Sequence, residues 1–121
     1  MKTIHILWSA GLMLFAMNNA QAATAKDNFN WYCAQCHDQK GTGNGINSVD
    51  ELPVGPMDLT NPKEMEKYPA SKIVKTLTNG GPVNNLDSLM PPWGNRLSKD
   101  EIAALVKYVQ SLCVKEGCNR E

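Results

Sequence analysis

The chain has 121 residues, with twelve basic and twelve acidic side chains, a length that fits one domain. That balance excludes a nucleic-acid-binding surface, because neutralising phosphates needs a basic excess. Four cysteines fall in two close pairs, Cys33/Cys36 and Cys113/Cys118.

The first element is a leader. Lys2 supplies a positive start, Ile4 to Met17 is an apolar run, and Ala20-Gln21-Ala22 reads as a small-residue cleavage site. The run is shorter than the ~20 apolar residues a membrane span needs. The pattern therefore predicts a signal peptide over 1–22 and a domain over 23–121, with a core at about 26–112 and a tail at 113–121. Export to the periplasm follows, with no membrane attachment after cleavage. Loss of Lys2 leaves eleven basic against twelve acidic residues, one net negative charge.

The mature part reads as helical. Lys26 to about Gln35 predicts a short helix, with Asp27 as N-cap and Phe29, Tyr32 and Cys33 on one face. A glycine-rich connection, "GTGNGINS", follows, and then "ELPVGPMDLTNP", whose three prolines exclude long regular structure. The connection has no Lys-Ser/Thr after it and no strand before it, so it is no phosphate loop. "NPKEMEKY" predicts one helical turn, capped by Asn61 with Pro62 in first position. "PASKIVKTLTNGG" predicts a longer helix. Ser71 is its expected cap, Ile73, Val74 and Leu77 its apolar stripe, and Gly80-Gly81 its stop. Lys63, Lys67, Lys72 and Lys75 read as a solvated face. "PVNNLDSLMPPWGN" has no period and reads as a loop.

The strongest helix is "LSKDEIAALVKYVQSL". Ser98 and Glu101 form a capping box, and Ile102, Leu105, Val106, Val109 and Leu112 its buried face. In an exported chain Cys113 and Cys118 are expected to form a disulfide that pins the end of this helix. No strand pattern or internal repeat is present. The expectation is an all-α domain of three to four short helices and long loops. So little helix offers little core, and such long loops need something to organise them.

Cys33-Ala34-Gln35-Cys36-His37 admits three readings. A thiol–disulfide exchange site usually goes with a βαβ pattern, which is missing. A zinc site needs two further ligands; the only other histidine, His5, lies in the leader, and Cys113 and Cys118 are loosely spaced. Covalent haem attachment uses both thiols and the histidine that follows them. Two thiols on one helical turn can reach the two vinyl groups of one haem, which leaves His37 under the ring as an iron ligand.

With this motif the mature chain, from about Lys26 to Leu112, resembles the class I c-type cytochromes, small single-haem electron carriers. The resemblance implies one haem c, attached through Cys33 and Cys36, with His37 as the proximal ligand. It also implies an aromatic contact between Phe29 and Tyr108 on the last helix. A second iron ligand is expected from the loop before that helix, where "SLMPPWGNRLS" supplies Met90. A thioether favours reduced iron, and Pro91 and Pro92 stiffen the loop. Met57 is the nearest competitor. The family's proline segment, whose carbonyl accepts from the proximal histidine, matches Gly55-Pro56, so Pro56 is expected to hold His37, with Pro53 as second choice. Trp93 and Arg96 are candidate propionate donors, and the glycines of 41–45 are expected to let the backbone pass the haem edge.

The resemblance implies a one-electron carrier rather than an enzyme, because His37 and Met90 leave no open position on the iron. Its partners would be a redox donor and a redox acceptor, met as a monomer in transient complexes. Two alternatives stand beside this. One is a fixed subunit of a larger oxidoreductase. The other is a gas-binding protein whose Met90 dissociates.

Overall fold

A computed structural model describes residues 23–48, 54–114 and 118. The predicted leader, Pro53 and most of the tail lie outside the described residues. The elements are α1 (Ala25–Tyr32), α2 (Ala34–His37), α3 (Pro62–Met65), α4 (Ala70–Asn79), a 3₁₀ turn (Gly81–Asn84) and α5 (Lys99–Leu112). The first predicted helix is thus two segments that part at Cys33, and the loop after α4 carries a 3₁₀ turn.

Local chemistry explains most of the boundaries. α1 starts at Thr24, whose hydroxyl accepts the Asp27 N–H while the Asp27 carboxylate accepts the Thr24 N–H. Asp27 is therefore the N3 residue of a capping box, not the N-cap. Ser98 and Glu101 form the same box at α5, as expected. Asn61 caps α3 through the Lys63 N–H, with Pro62 behind it. α4 begins after Pro69 without a side-chain cap, and Ser71 lies inside its first turn. Gly80, at φ 87°, ends α4 in a conformation that side chains resist.

The core sits where α1 crosses α5. Phe29 is fully buried, and its ring centroid lies 5.2 Å from that of Tyr108, tilted by 57°. Ile102, Leu105, Val106 and Val109 of α5 are buried, and α4 adds Ile73 and Leu77. Val74, expected in that stripe, is 40% exposed. Thr76 is buried instead, and its hydroxyl donates to the Lys72 carbonyl. Such a bond makes a threonine tolerable inside a helix interface. Cys113 and Cys118 are joined as a disulfide at the end of α5.

The glycines of the first loop approach the chain itself. A Cβ on Gly41 would meet the Leu112 side chain, and one on Gly45 would meet the backbone of Gln35 and Cys36. The Leu59 N–H donates to the Gly41 carbonyl at 2.7 Å. The loop is thus stitched between α2 and the end of α5.

Candidate functional site

Three elements bring the motif residues into one cavity of about 690 Å³. That volume is within the ~300–1,000 Å³ typical of small-molecule and cofactor sites. Cys33, at the break between α1 and α2, and Cys36 and His37, on α2, all line it. Met90 lines it from the loop before α5, and Met65 of α3 and Leu77 of α4 complete an apolar wall.

His37 is oriented by one hydrogen bond. Its Nδ1 lies 3.1 Å from the Met57 carbonyl oxygen. A carbonyl only accepts, so Nδ1 carries the proton and Nε2 keeps its lone pair. Burial lowers the His37 pKa, and the Met57 bond opposes this. The imidazole is therefore held as a neutral donor, the form that binds a metal. The residue expected here was Pro56. In extended chain successive carbonyls point in opposite directions. The Pro56 carbonyl instead lies against Gly43, where a Cβ would strike it. Met57, a rival ligand on sequence grounds, takes part through its backbone.

The donor set separates the three readings of the cysteines. Cys33 and Cys36 are not joined to each other. The Cys33 thiol is pushed up to about 12, by burial first and by the neighbouring Cys36 second. Exchange sites need the reverse, a stabilised thiolate. Zinc would require Cys113 and Cys118, which are consumed in their disulfide. Two reduced thiols, a neutral imidazole and a thioether around an apolar cavity fit haem c.

Trp93 lines the same cavity and packs against Tyr32, with ring centroids 5.0 Å apart and planes tilted by 44°. Arg96 is exposed and lies over Tyr32, 5.9 Å from its ring centroid, outside the cavity wall. Tyr68, which the sequence did not single out, also lines the cavity, and Lys72 Nζ sits 4.2 Å from its ring centroid. Only the aromatic character of "KYPASK" pointed to it.

The Met90 loop is laid along the end of α4. Gly81 N–H donates to the Met90 carbonyl at 2.8 Å, Trp93 N–H to Leu77 at 2.8 Å, and Gly94 N–H to Thr78 at 3.1 Å. The last carbonyls of a helix lack partners inside it. Here the loop supplies them, so the helix end and the methionine fix each other.

A helical fold without strands among the described residues, closed around a cavity lined by Cys33, Cys36, His37 and Met90, fits a c-type cytochrome domain. The sequence matches the family described as "Cytochrome C oxidase, cbb3-type, subunit III" over residues 20–109, and the chain belongs to that family. It is 39% identical over 80 residues to the cbb3-type cytochrome c oxidase subunit FixP of Azorhizobium caulinodans. That match takes in 66% of this chain but only 23% of FixP. The KustC0563 c-type cytochrome shares the fold, with a TM-score of 0.60 at 19% identity over 75% of this chain and 99% of its own. A chain of the Kuenenia stuttgartiensis reducing HAO-like protein complex Kustc0457/Kustc0458 is similar too. Its TM-score is 0.56 at 27% identity, over 74% of this chain and 41% of that one. The chain is accordingly an electron-transfer cytochrome domain that carries covalently attached haem c. Among the described residues, no helix is long and apolar enough to cross a membrane.

Proposed function

We propose that the chain is exported by cleavage of residues 1–22 and works as a single-haem, one-electron carrier. In this reading Cys33 and Cys36 would hold the haem through thioether bonds, and His37 Nε2 and the Met90 sulfur would be its iron ligands. The bound group supplies an electron couple at the iron. His37 is kept in one tautomer by Met57, and the apolar wall of Met65 and Leu77 excludes water. Apolar surroundings disfavour the extra positive charge of the oxidised state, and unchanging ligands keep reorganisation small. With His37 and Met90 both bound, the protein would leave no iron position open for a substrate. The observation that carries this reading is the His37–Met57 hydrogen bond, which leaves the other imidazole nitrogen unprotonated on a residue that lines the same cavity as both thiols and Met90.

The test is an intact mass and a reduced absorption spectrum of the protein from the periplasm. The expected mass is that of residues 23–121 plus one haem, less the two hydrogens of the disulfide. Cys33→Ala/Cys36→Ala should lose the covalent haem. A bare polypeptide mass for the parent protein overturns the proposal. Carbon monoxide should bind the reduced protein slowly or not at all; rapid binding would favour the gas-binding alternative.

A second reading, a fixed subunit, is supported by FixP, which is named as an oxidase subunit, and by the HAO-like complex. Size-exclusion of a native extract separates the two. Elution at the size of the chain alone supports the free carrier, and co-elution with a larger oxidase supports the subunit.

A further inference from the structure

Gly80 and Gly81 end α4, but ending a helix needs only one such residue. Gly80 has the positive φ that requires glycine, and Gly81 does not. Glycine at position 81 therefore serves space. A Cβ there would strike the Asp87 carbonyl and would sit 3.0 Å from the Met90 Cβ and 3.1 Å from the Leu86 Cβ. Gly81 is also bonded both ways within the loop, since its N–H donates to Met90 and its carbonyl accepts the Leu86 N–H at 3.0 Å. On the other side of Met90, Pro91 and Pro92 have no N–H to give, and the next anchors are Trp93 and Gly94. The Asp87 carbonyl is thus the group that must move if Gly81 grows, and because it accepts the Met90 N–H at 3.1 Å, Met90 moves with it.

Resting on the assignment of Met90 as an iron ligand, we propose that Gly81 is a positioning residue for that methionine: its missing side chain leaves the space taken by the Asp87 carbonyl, which accepts the Met90 N–H, and by the Met90 Cβ. Asn84 supports the clamp. Its Nδ2 donates to Thr76 Oγ1 at 2.7 Å and to the Lys72 carbonyl at 3.0 Å, which ties the 3₁₀ turn to α4.

The clamp predicts a graded opening of the iron. Apparent affinity for an added ligand scales with the fraction of protein whose position is open. Four variants of the full exported holoprotein test this: Met90→Ala, Gly81→Ala, Asn84→Ala and Asn79→Ala. The last is an exposed change two residues before Gly81. The readouts are the weak far-red sulfur–iron band of the ferric protein, the midpoint of an imidazole titration, and haem content. Gly81→Ala should keep one haem, weaken or lose the far-red band, and bind imidazole at least about tenfold more tightly. Asn84→Ala, which adds no bulk, should shift the midpoint in the same direction by less, and Asn79→Ala should match the parent. If Met90→Ala abolishes the band while Gly81→Ala keeps it with parental imidazole affinity, the positioning role is overturned and the ligand assignment stands. If Met90→Ala itself keeps the band, the ligand assignment falls and the positioning role with it. Should Gly81→Ala yield no folded protein, Asn84→Ala decides, and a parental midpoint there overturns the clamp.

Discussion

The His37 segment and the Met90 loop line the same cavity, and each involves a helix end whose carbonyls are taken by a neighbouring loop. On the histidine side, the amides of Gly43, Gly45 and Asn47 donate to the carbonyls of His37, Cys36 and Gln35 at 2.9, 3.0 and 2.7 Å. On the methionine side, Trp93 and Gly94 donate to Leu77 and Thr78. The difference is where the proposed iron ligand sits. His37 belongs to the helix being capped, and Met90 belongs to the loop that does the capping. A shift of the loop moves Met90 directly and leaves His37 in place. The arrangement predicts that the methionine side yields first, with the loop displaced before the domain unfolds.

The largest effect should come from the scaffold both sides share. Phe29→Ala removes a fully buried ring at the α1–α5 crossing. It should cost about 3–5 kcal/mol, measured by denaturant unfolding of the holoprotein. A cost below 1 kcal/mol would mean that the crossing does not support the cavity. Next comes Gly45→Ala, the histidine-side counterpart of the Gly81 change. The new Cβ has no room between the backbone atoms of Gln35 and Cys36, and such overpacking costs about 1–3 kcal/mol. The folded fraction should keep its far-red band. A Gly45→Ala protein of parental stability but without the band would erase the distinction between the two sides.

A smaller effect is expected at Asp38, the residue after His37. Its φ of 64° and ψ of 155° place it in a region essentially reserved for glycine. Its carboxylate accepts the Lys40 N–H at 3.0 Å and the Thr42 hydroxyl at 3.2 Å, and these bonds offset the strain. Asp38→Ala keeps the strain and loses the bonds, whereas Asp38→Gly loses both. The glycine variant should therefore melt above the alanine variant. The reverse order would show that the backbone there is unstrained.

What could be read from the sequence follows from how local each cause is. The cysteine–histidine motif, the Ser98–Glu101 box and the Asn61-Pro62 start are contained within five residues or fewer, and each stands where its pattern placed it. The Phe29–Tyr108 contact spans the chain and was visible only through resemblance to a family. Asp27 is itself a good N-cap residue by type, so only the Thr24-x-x-Asp27 spacing marks it as the far end of a box. Met57 displaced Pro56 because residue type does not encode which carbonyl of an extended segment faces inward. Gly80-Gly81 was legible as a helix stop. The use of Gly81 as space for Met90 was not, since it depends on a loop folding back nine residues later.

The smallest expected effect concerns acid, and it sharpens the contrast between scaffold and loop. Glu101 is held below the usual carboxylate range, first by the Ser98 N–H, then by the Ser98 hydroxyl, with Asn28 of α1 adding a further bond. Asp27 is lowered in the same way by Thr24. A carboxyl whose folded pKa is depressed contributes stability that is complete above its unfolded pKa and is lost as pH falls through the folded value. Both groups begin α1 and α5, the two helices whose crossing forms the core, and neither touches the Met90 loop in any bond described above. Glu101→Gln should therefore be slightly less stable than the parent at neutral pH and converge with it in acid, once pH has fallen through the depressed folded value. Its far-red band should remain until the domain itself melts. Loss of the band at a pH well above the melting transition would mean that the α5 cap also governs the methionine loop, and that the scaffold and the loop do not respond independently.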